Sequence, residues 1–357
     1  MEDQWIALLL DLGRRPTAPL YETAIIQAVH AFLTAHTIPF AADPYGNLIV
    51  RLGPAEGTPL ALVAHLDHPG LEVTASQGTT ALARPLGGVP LASLRPPEPV
   101  LILTDGQPVP ATVVALEQTG EGPLLRLQTD GPVPTPTGAV FALPGPERRG
   151  DLLMMPAVDD LVGCAALLLT LAAVRDQALP RPLYGVFTRA EEIGLVGATL
   201  VARSGLLPPE TLVVSLEASR TLPGAVIGRG PVIRVGDRSR TFDATAEGLL
   251  SAAARRLEGA PVQRQLMSGG TCEATAFGLC GYRTTGLAFP LGNYHNAGPD
   301  GRLRPEFIHV RDFLTGVRLL QTAALLDEPD PEAPLRERLA TAVGRYAERL
   351  QATARRG

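Results

Sequence analysis

Three short apolar runs constrain the fold of this 357-residue chain more than any other feature. Residues 60–64 read Leu-Ala-Leu-Val-Ala, residues 183–188 read Leu-Tyr-Gly-Val-Phe-Thr, and residues 212–216 read Leu-Val-Val-Ser-Leu. Runs of this length and composition are typical of strands that are buried on both faces, which occur in parallel sheets covered by helices. The sequence therefore predicts an α/β fold.

Helical patterns fill much of the chain between these runs. The first forty residues carry apolar side chains at helical spacing, and residues 161–174 form a long, predominantly apolar run. Further helices are predicted near 197–203, 244–258, 310–326 and 335–354, and another strand at 284–289. Strands that alternate with helices favour a doubly wound mixed sheet with helices on both faces.

A region of different composition interrupts this alternation between residues 71 and 152. Short segments rich in Val, Leu and Thr alternate there with Pro and Gly turns, and no helical period is evident. This pattern predicts a small β-barrel-like or sandwich-like insert. We therefore expect a catalytic α/β domain in two parts, 1–70 and 153–357, with an inserted β domain at 71–152.

The composition excludes several classes of function. A net charge of -5 argues against a nucleic-acid-binding or membrane-binding surface. All 31 basic residues are Arg, so lysine Schiff-base chemistry and lysine-dependent phosphate loops are excluded. Three Cys do not make a disulfide framework. Acidic residues precede the short apolar run at the N-terminus, which is the wrong order for a secretory signal, and we expect a cytoplasmic protein.

Side chains that can bind metals follow the predicted strands or precede a helix. His65 follows the first run, Glu191 and Glu192 follow the second, and Glu217 ends the third. Asp159 precedes the helix at 161–174, and His295 lies beyond the strand at 284–289. Because ligand sites in open α/β sheets form at the carboxyl ends of the strands, we expect these side chains to converge.

Imidazole and carboxylate groups are the ligands that zinc and similar divalent ions take. One tetrahedral catalytic ion needs three protein ligands, so a set of this size fits two ions that share a carboxylate and a water. Two ions can polarise a carbonyl and lower the pKa of water, and a neighbouring carboxylate can carry the proton to a leaving amine. The sequence therefore predicts a metal-dependent hydrolase.

Four motifs together resemble metallopeptidase family 42, the tetrahedral, deblocking or glutamyl aminopeptidases. They are AHLDHPG at 64–70, AVDDLVGC at 157–164, RAEEIGLVGA at 189–198 and GNYHN at 292–296. The resemblance implies a zinc-peptidase-like catalytic domain, interrupted by a PDZ-like β insert that serves dimerisation or access. It also implies a peptide substrate, two divalent ions per subunit (zinc, with cobalt or manganese as alternatives), and homo-oligomers from dimers to dodecamers.

The resemblance implies metal ligands residue by residue. His65 and Glu217 would complete one site, Glu192 and His295 would complete the other, and Asp159 would bridge the two ions.

Two further roles are implied by the same resemblance. Glu191 would be the general base and acid for attack by water that the ions activate, and Asp67 would orient the imidazole of His65. The expected activity is removal of N-terminal residues from peptides.

Three residues depart from the family's pattern. His68 stands where the family has Glu, Glu217 where it has Asp, and Asn296 where Ser or Thr is usual. In the wider superfamily, Glu at the position of Glu217 resembles carboxypeptidases and deacylases, so the end of the peptide that is cut stays open. His68 could lie near the metals or at the surface.

Other interpretations also stay open. Glu217 could form a salt bridge with Arg220 or Arg189, and Asp160 could only cap a helix. A glycosidase would use a carboxylate pair without metal, although the imidazoles argue against it. A peptide-binding or scaffold protein could keep metal for stability alone.

Overall fold

The computed structural model describes residues 1–327 and 333–354. Within those residues the chain forms eight α-helices: α1 Glu2–Leu12, α2 Thr23–Ala35, α3 Leu161–Val174, α4 Val196–Ser204, α5 Ala244–Arg256, α6 Glu273–Leu279, α7 Val310–Leu325 and α8 Ala333–Ala354. None of the described helices is long and apolar enough to cross a membrane.

Eight of the strands form one mixed sheet. They are β1 Phe40–Ala42, β2 Leu48–Leu52, β3 Leu60–His65, β12 Leu183–Thr188, β13 Leu212–Arg220, β14 Val232–Asp237, β15 Gln263–Met267 and β16 Arg283–Leu291. Their order across the sheet is β1-β2-β12-β3-β13-β16-β14-β15. The four central strands β12, β3, β13 and β16 are parallel, so their carboxyl ends lie along the same edge.

Helices cover both faces of this sheet, as the alternation of strands and helices predicts. On β3, Leu60, Leu62 and Ala64 pack into the cluster that contains α1, α2, α3, α5 and α7. Ala61 and Val63 point to the other face, where they pack with α4 and α6. Because β3 is covered on both sides, every one of its residues is buried and its sequence shows no polar alternation.

Six strands close into an antiparallel barrel. They are β4 Gly70–Gln77, β5 Thr80–Leu86, β6 Glu98–Ile102, β7 Val109–Thr119, β8 Gly122–Gln128 and β9 Thr137–Phe141. The barrel has its own apolar core, which includes Leu71, Val73 and Val100. A barrel rather than a sandwich therefore occupies this region, and the division of the chain at residues 70 and 152 remains a prediction.

A small antiparallel sheet connects the end of the barrel region to the rest of the chain. It consists of β10 Glu147–Arg149, β11 Leu152–Met155 and β17 Glu306–His309, in that order. Through this sheet the segment that leads to α3 is fixed beside the segment that precedes α7.

The structure corrects the sequence analysis at the third run. We expected the strand to end at Glu217, but β13 pairs with β16 from Leu212 to Arg220. Glu217 therefore lies within the strand, because backbone pairing continues after the apolar residues stop. The strands β14 and β15 were not predicted, since β14 contains the buried Arg234 and β15 is only partly covered.

Candidate metal centre

The carboxyl edge of the parallel strands borders a cavity of about 340 Å³. Six predicted site residues line it: His65, Asp159, Glu191, Glu192, Glu217 and His295. The structure therefore brings together side chains that are up to 230 positions apart in the sequence. Asp67, the seventh, is fully buried directly behind them.

His65 is the last residue of β3 and is 1% exposed. Its Nδ1 lies 3.1 Å from the backbone oxygen of Asp67. Because a carbonyl oxygen can only accept, this contact places a ring hydrogen on Nδ1, so Nε2 is the nitrogen that can bind a metal ion. Nε2 lies 3.4 Å from Oδ1 of Asp159.

Asp67 fixes the backbone of the two adjacent glutamates. Its Oδ1 accepts the N–H of Glu191 at 2.9 Å and its Oδ2 accepts the N–H of Glu192 at 3.0 Å. Oδ1 also lies 3.6 Å from Nδ1 of His65, farther than the backbone oxygen of Asp67 does. The carboxylate of Asp67 thus holds the loop after β12 against the end of β3.

Asp159 lies in the loop that precedes α3. Its neighbour Asp160 caps the helix, since Oδ1 of Asp160 accepts the N–H of Gly163 at 3.1 Å. The side chain of Asp159 faces the cavity, and its buried Oδ1 has no hydrogen-bond partner in the described part of the chain. Leaving a buried carboxylate oxygen without a donor costs free energy, so an electrophile is needed at this point.

His295 lies in the loop after β16. Its Nδ1 lies 3.0 Å from the backbone oxygen of Gly88, and its Nε2 lies 3.4 Å from Oε1 of Glu192 and 3.7 Å from Oδ2 of Asp159. The ring stacks on Tyr294, with centroids 3.8 Å apart. As for His65, the backbone contact directs the second ring nitrogen toward carboxylates.

The backbone around His295 is in the left-handed region, with φ of 56° at Asn293, 52° at His295 and 64° at Asn296. Asn tolerates this conformation, but His adopts it at a cost that surrounding contacts must offset. One such contact is the N–H of His295, which donates to Oε1 of Glu306 at 2.8 Å. The strain is thus confined to the residue that faces the cavity.

Glu217 completes the edge of the cavity from β13. It is 6% exposed, and Ser215 Oγ lies 3.4 Å from its Oε1. The suggested salt bridges to Arg189 and Arg220 do not form, because Arg189 pairs with Glu22 at 2.7 Å and Arg220 donates to the backbone oxygen of Gly269.

Three groups of these side chains have ligand atoms that all lie within 4.8 Å of one another: His65–Asp159–Glu217, His65–Glu191–Glu192 and Asp159–Glu192–His295. The first and the third share only Asp159. The donors are imidazole nitrogens and carboxylate oxygens, which suit a divalent ion of the zinc type. The residues present therefore fit the binding of divalent metal ions at this edge of the sheet.

Burial and crowding shift the pKa values of these groups. Burial raises the pKa of Glu217 to about 8 and raises the pKa of Glu191 well above its usual range. Burial alone would lower the pKa of His295, but the carboxylates of Glu192 and Asp159 raise it to about 9. Each shift favours a bound proton, and metal ions compete with protons for such ligands.

Of the three residues that depart from the family pattern, Glu217 lines the cavity, whereas His68 and Asn296 lie behind it. His68 is buried, with Nδ1 2.7 Å from the backbone oxygen of Asp159 and Nε2 3.0 Å from Oδ1 of Asn296. Asn296 Nδ2 donates to the backbone oxygen of Pro156, which fixes the orientation of its amide. His68 thus supports Asp159 through the backbone, and its ring nitrogens face these oxygens rather than the cavity.

Sequence reasoning missed Glu306, which supports two of the candidate ligands. It is fully buried in β17, and its Oε2 accepts the N–H groups of Val158 and Asp159 at 2.8 and 2.9 Å. Its Oε1 accepts the N–H of His295, so one carboxylate joins the loops on both sides of the cavity. The only signal in the sequence is an acid in a short strand, followed by Phe307 and Ile308.

Comparisons with known proteins identify the family and the fold of this chain. The family model of the M42 glutamyl aminopeptidases matches residues 140–317, which include all of the predicted ligands except His65.

Several solved structures share the fold. The TET1 peptidase of Pyrococcus horikoshii has a TM-score of 0.78 and 23% identity, with 90% of this chain and 99% of that chain covered. A TET aminopeptidase from a marine-sediment Thaumarchaeota archaeon has a TM-score of 0.78 and 18% identity, covering 91% and 98%. An aminopeptidase from the archaeon Desulfurococcus kamchatkensis has a TM-score of 0.76 and 22% identity, covering 93% and 96%. With the family match, this likeness leads to one conclusion: the chain belongs to the M42 glutamyl aminopeptidase family and is a peptide hydrolase.

Proposed function

We propose that this protein is an aminopeptidase that works with two divalent metal ions. The observation that carries the proposal is the pair of ligand groups that share Asp159. His65, Asp159 and Glu217 would hold one ion, and Asp159, Glu192 and His295 would hold the other. Zinc suits these ligands, with cobalt or manganese as alternatives.

The reaction is addition of water to a peptide carbonyl with release of an amine. Two bound divalent ions would supply the Lewis acidity that polarises the carbonyl and makes water more acidic. Glu191 belongs to neither of the two groups that share Asp159, so its carboxylate remains for proton transfer. It would accept a proton from the attacking water and deliver it to the leaving nitrogen, as a general base and then a general acid.

Asp67 and Glu306 would position the reacting groups. Asp67 holds the N–H of Glu191 and of Glu192, so the proposed base and a proposed ligand move together. Glu306 fixes the N–H groups of Asp159 and His295. Such fixed geometry limits the reorganisation that the side chains need during the reaction.

The remaining wall of the cavity would face the substrate. It includes Leu222 and Met267, which are apolar, and Arg220, Ser219 and Thr271, which can donate hydrogen bonds. At about 340 Å³ the cavity has room for one or two amino-acid residues of a peptide, near the lower end of typical ligand pockets.

A self-association of this chain is also proposed. The TET1 peptidase of Pyrococcus horikoshii is described as assembling into a tetrahedron or an octahedral shell. We expect this chain, which shares that fold, to form homo-oligomers. Light scattering after size-exclusion chromatography measures the mass, and a value near 37.6 kDa at all concentrations would contradict the expectation.

The test is hydrolysis of a mixed peptide library by protein reconstituted with Zn²⁺, Co²⁺ or Mn²⁺. Each peptide is supplied with a free and with a blocked N-terminus, and the products are sequenced from both ends. An aminopeptidase shortens only free peptides from the N-terminus. Cleavage of blocked peptides from the other end would instead support a carboxypeptidase or deacylase, and a metal-replete protein inert on all peptides would contradict catalysis.

A further inference from the structure

The barrel reaches one of the two candidate cation sites through a pair of glycines. Gly87 and Gly88 lie in the barrel loop between β5 and β6, and the backbone oxygen of Gly88 faces Nδ1 of His295 at 3.0 Å. Metal-binding imidazoles commonly donate their other N–H to such an oxygen, which fixes both the tautomer and the ring direction. The barrel therefore supplies the contact that aims Nε2 of His295 at Glu192 and Asp159.

A side chain at either glycine would crowd a candidate ligand, and the clash is severe at Gly88. A Cβ atom at Gly88 would lie 2.4 Å from Nδ1 and 2.6 Å from Cε1 of His295. A Cβ atom at Gly87, whose φ is +78°, would lie 3.0 Å from Cβ of Glu192. Two successive barrel residues thus contact two of the three members of the Asp159–Glu192–His295 group.

The imidazole of His295 cannot simply move aside. Tyr294 stacks on the ring with an interplanar angle of 23°. The backbone of His295 is in the left-handed region and its N–H is bound by Glu306. A methyl group at position 88 must therefore turn the ring away from the carboxylates or push the barrel loop away from the ring.

The other site is supported differently. Nδ1 of His65 is directed by the backbone oxygen of Asp67, two residues further along the same segment, and Glu217 lies within β13. These supports come from the sheet and the turn that follows β3. A displacement of the β5–β6 loop is thus expected to change one ligand group and spare the other.

We propose that Gly88 is a positioning residue, through which the barrel orients His295 and sets the affinity of the Asp159–Glu192–His295 site for its metal ion. The inference rests on the proposed function, since it takes His295 as a ligand. It makes the two sites unequal, because only the Asp159–Glu192–His295 site also depends on the placement of the barrel.

The test is the Zn²⁺ affinity of the full-length chain, measured by competition with a chelator, in the Gly88→Ala variant. We expect one of two equivalents to bind about 10- to 100-fold more weakly, as is typical when a group that orients a metal ligand is lost. The other equivalent should keep its affinity. The matched control is Gly131→Ala, also in the barrel region, where a Cβ atom meets nothing within 4 Å and both affinities should stay unchanged.

A double-mutant comparison separates positioning from general damage. If Gly88 acts through His295, then adding Gly88→Ala to His295→Ala changes Zn²⁺ binding no further. The reason is that the imidazole ring, with which the added Cβ at position 88 would clash, is already absent. A further loss in that background, or full binding of both ions by Gly88→Ala, would overturn the inference. Retention of both ions by His295→Ala would instead contradict the proposed ligand set itself.

Discussion

The two candidate cation sites share Asp159 but are built by different parts of the molecule. The His65–Asp159–Glu217 site uses two ligands from the adjacent parallel strands β3 and β13, whose backbones are fixed by the sheet. The Asp159–Glu192–His295 site uses two ligands from loops. Those loops are held by long-range contacts with Asp67, Glu306 and Gly88. Ligands on strands are therefore positioned by the sheet, whereas ligands on loops need separate support.

Replacing the shared carboxylate should have the largest effect. Asp159→Ala removes a ligand from both groups, so we expect loss of both ions and of all measurable peptidase activity. The metal-to-protein ratio after dialysis measures this by atomic emission. His65→Ala and His295→Ala are the controls, and each should lose one ion. An Asp159→Ala protein that keeps one tightly bound ion would show that the two sites are not joined through Asp159.

Replacing the proposed base should separate chemistry from metal binding. In Glu191→Gln we expect kcat to fall by about 10²- to 10⁴-fold, the usual contribution of a general acid–base residue, with metal content unchanged. The neighbouring change Glu192→Gln should instead lower the metal content, because Glu192 is a proposed ligand in the Asp159–Glu192–His295 site. We call this the loop-built site, because two of its ligands lie in loops. Full activity in Glu191→Gln would remove Glu191 from its proposed role.

The comparison also explains which parts could be predicted from the sequence. Helix α3 and strand β12 were predicted with the bounds that the structure has, because most of α3 and all of β12 are buried and their residues are predominantly apolar. The placement of His65 and of Glu191 at the carboxyl edge follows from the same apolar runs. A buried strand leaves a clear signal in its own residues.

The supports of the loop-built site left no such signal. Glu306 is 148 residues from Val158, whose N–H it accepts, and Gly88 is 207 residues from His295. Sequence alone does not distinguish a glycine in a Gly-rich insert, or an acidic residue in a short strand, from similar residues that have no such role. These residues matter through long-range contacts, and a local pattern carries no information on such contacts.

Replacing Glu306 should weaken metal binding and the fold together, because Glu306 holds the N–H groups of His295 and of Asp159, which both sites share. Glu306→Gln turns one acceptor oxygen into a donor that faces backbone N–H groups, so we expect a loss of about 1–3 kcal/mol in the free energy of unfolding, typical of a buried unpaired donor. Urea denaturation measures it, and Zn²⁺ competition should show weaker binding.

Asp312→Asn is the matched control for this change. Asp312 is also a buried carboxylate that accepts two backbone N–H groups, from Gly228 and Gly230. We expect a similar loss of stability with normal Zn²⁺ binding. Equal Zn²⁺ affinity in both variants would mean that Glu306 serves only the fold.

The smallest expected effect concerns two helix caps. Asp160 caps α3 beside the shared ligand Asp159, and Asp243 caps α5 by accepting the N–H of Ala246 at 3.0 Å. Asp243→Ala should cost about 1 kcal/mol of stability, the usual value of a capping residue. Zn²⁺ binding should not change, because α5 supplies none of the proposed ligands.

Asp160→Ala removes an equivalent cap but also loosens the start of α3, so both Zn²⁺ equivalents should weaken together. If Asp160→Ala weakened only one of the two Zn²⁺ equivalents, Asp159 would be a ligand of a single site. The two sites would then not share a ligand.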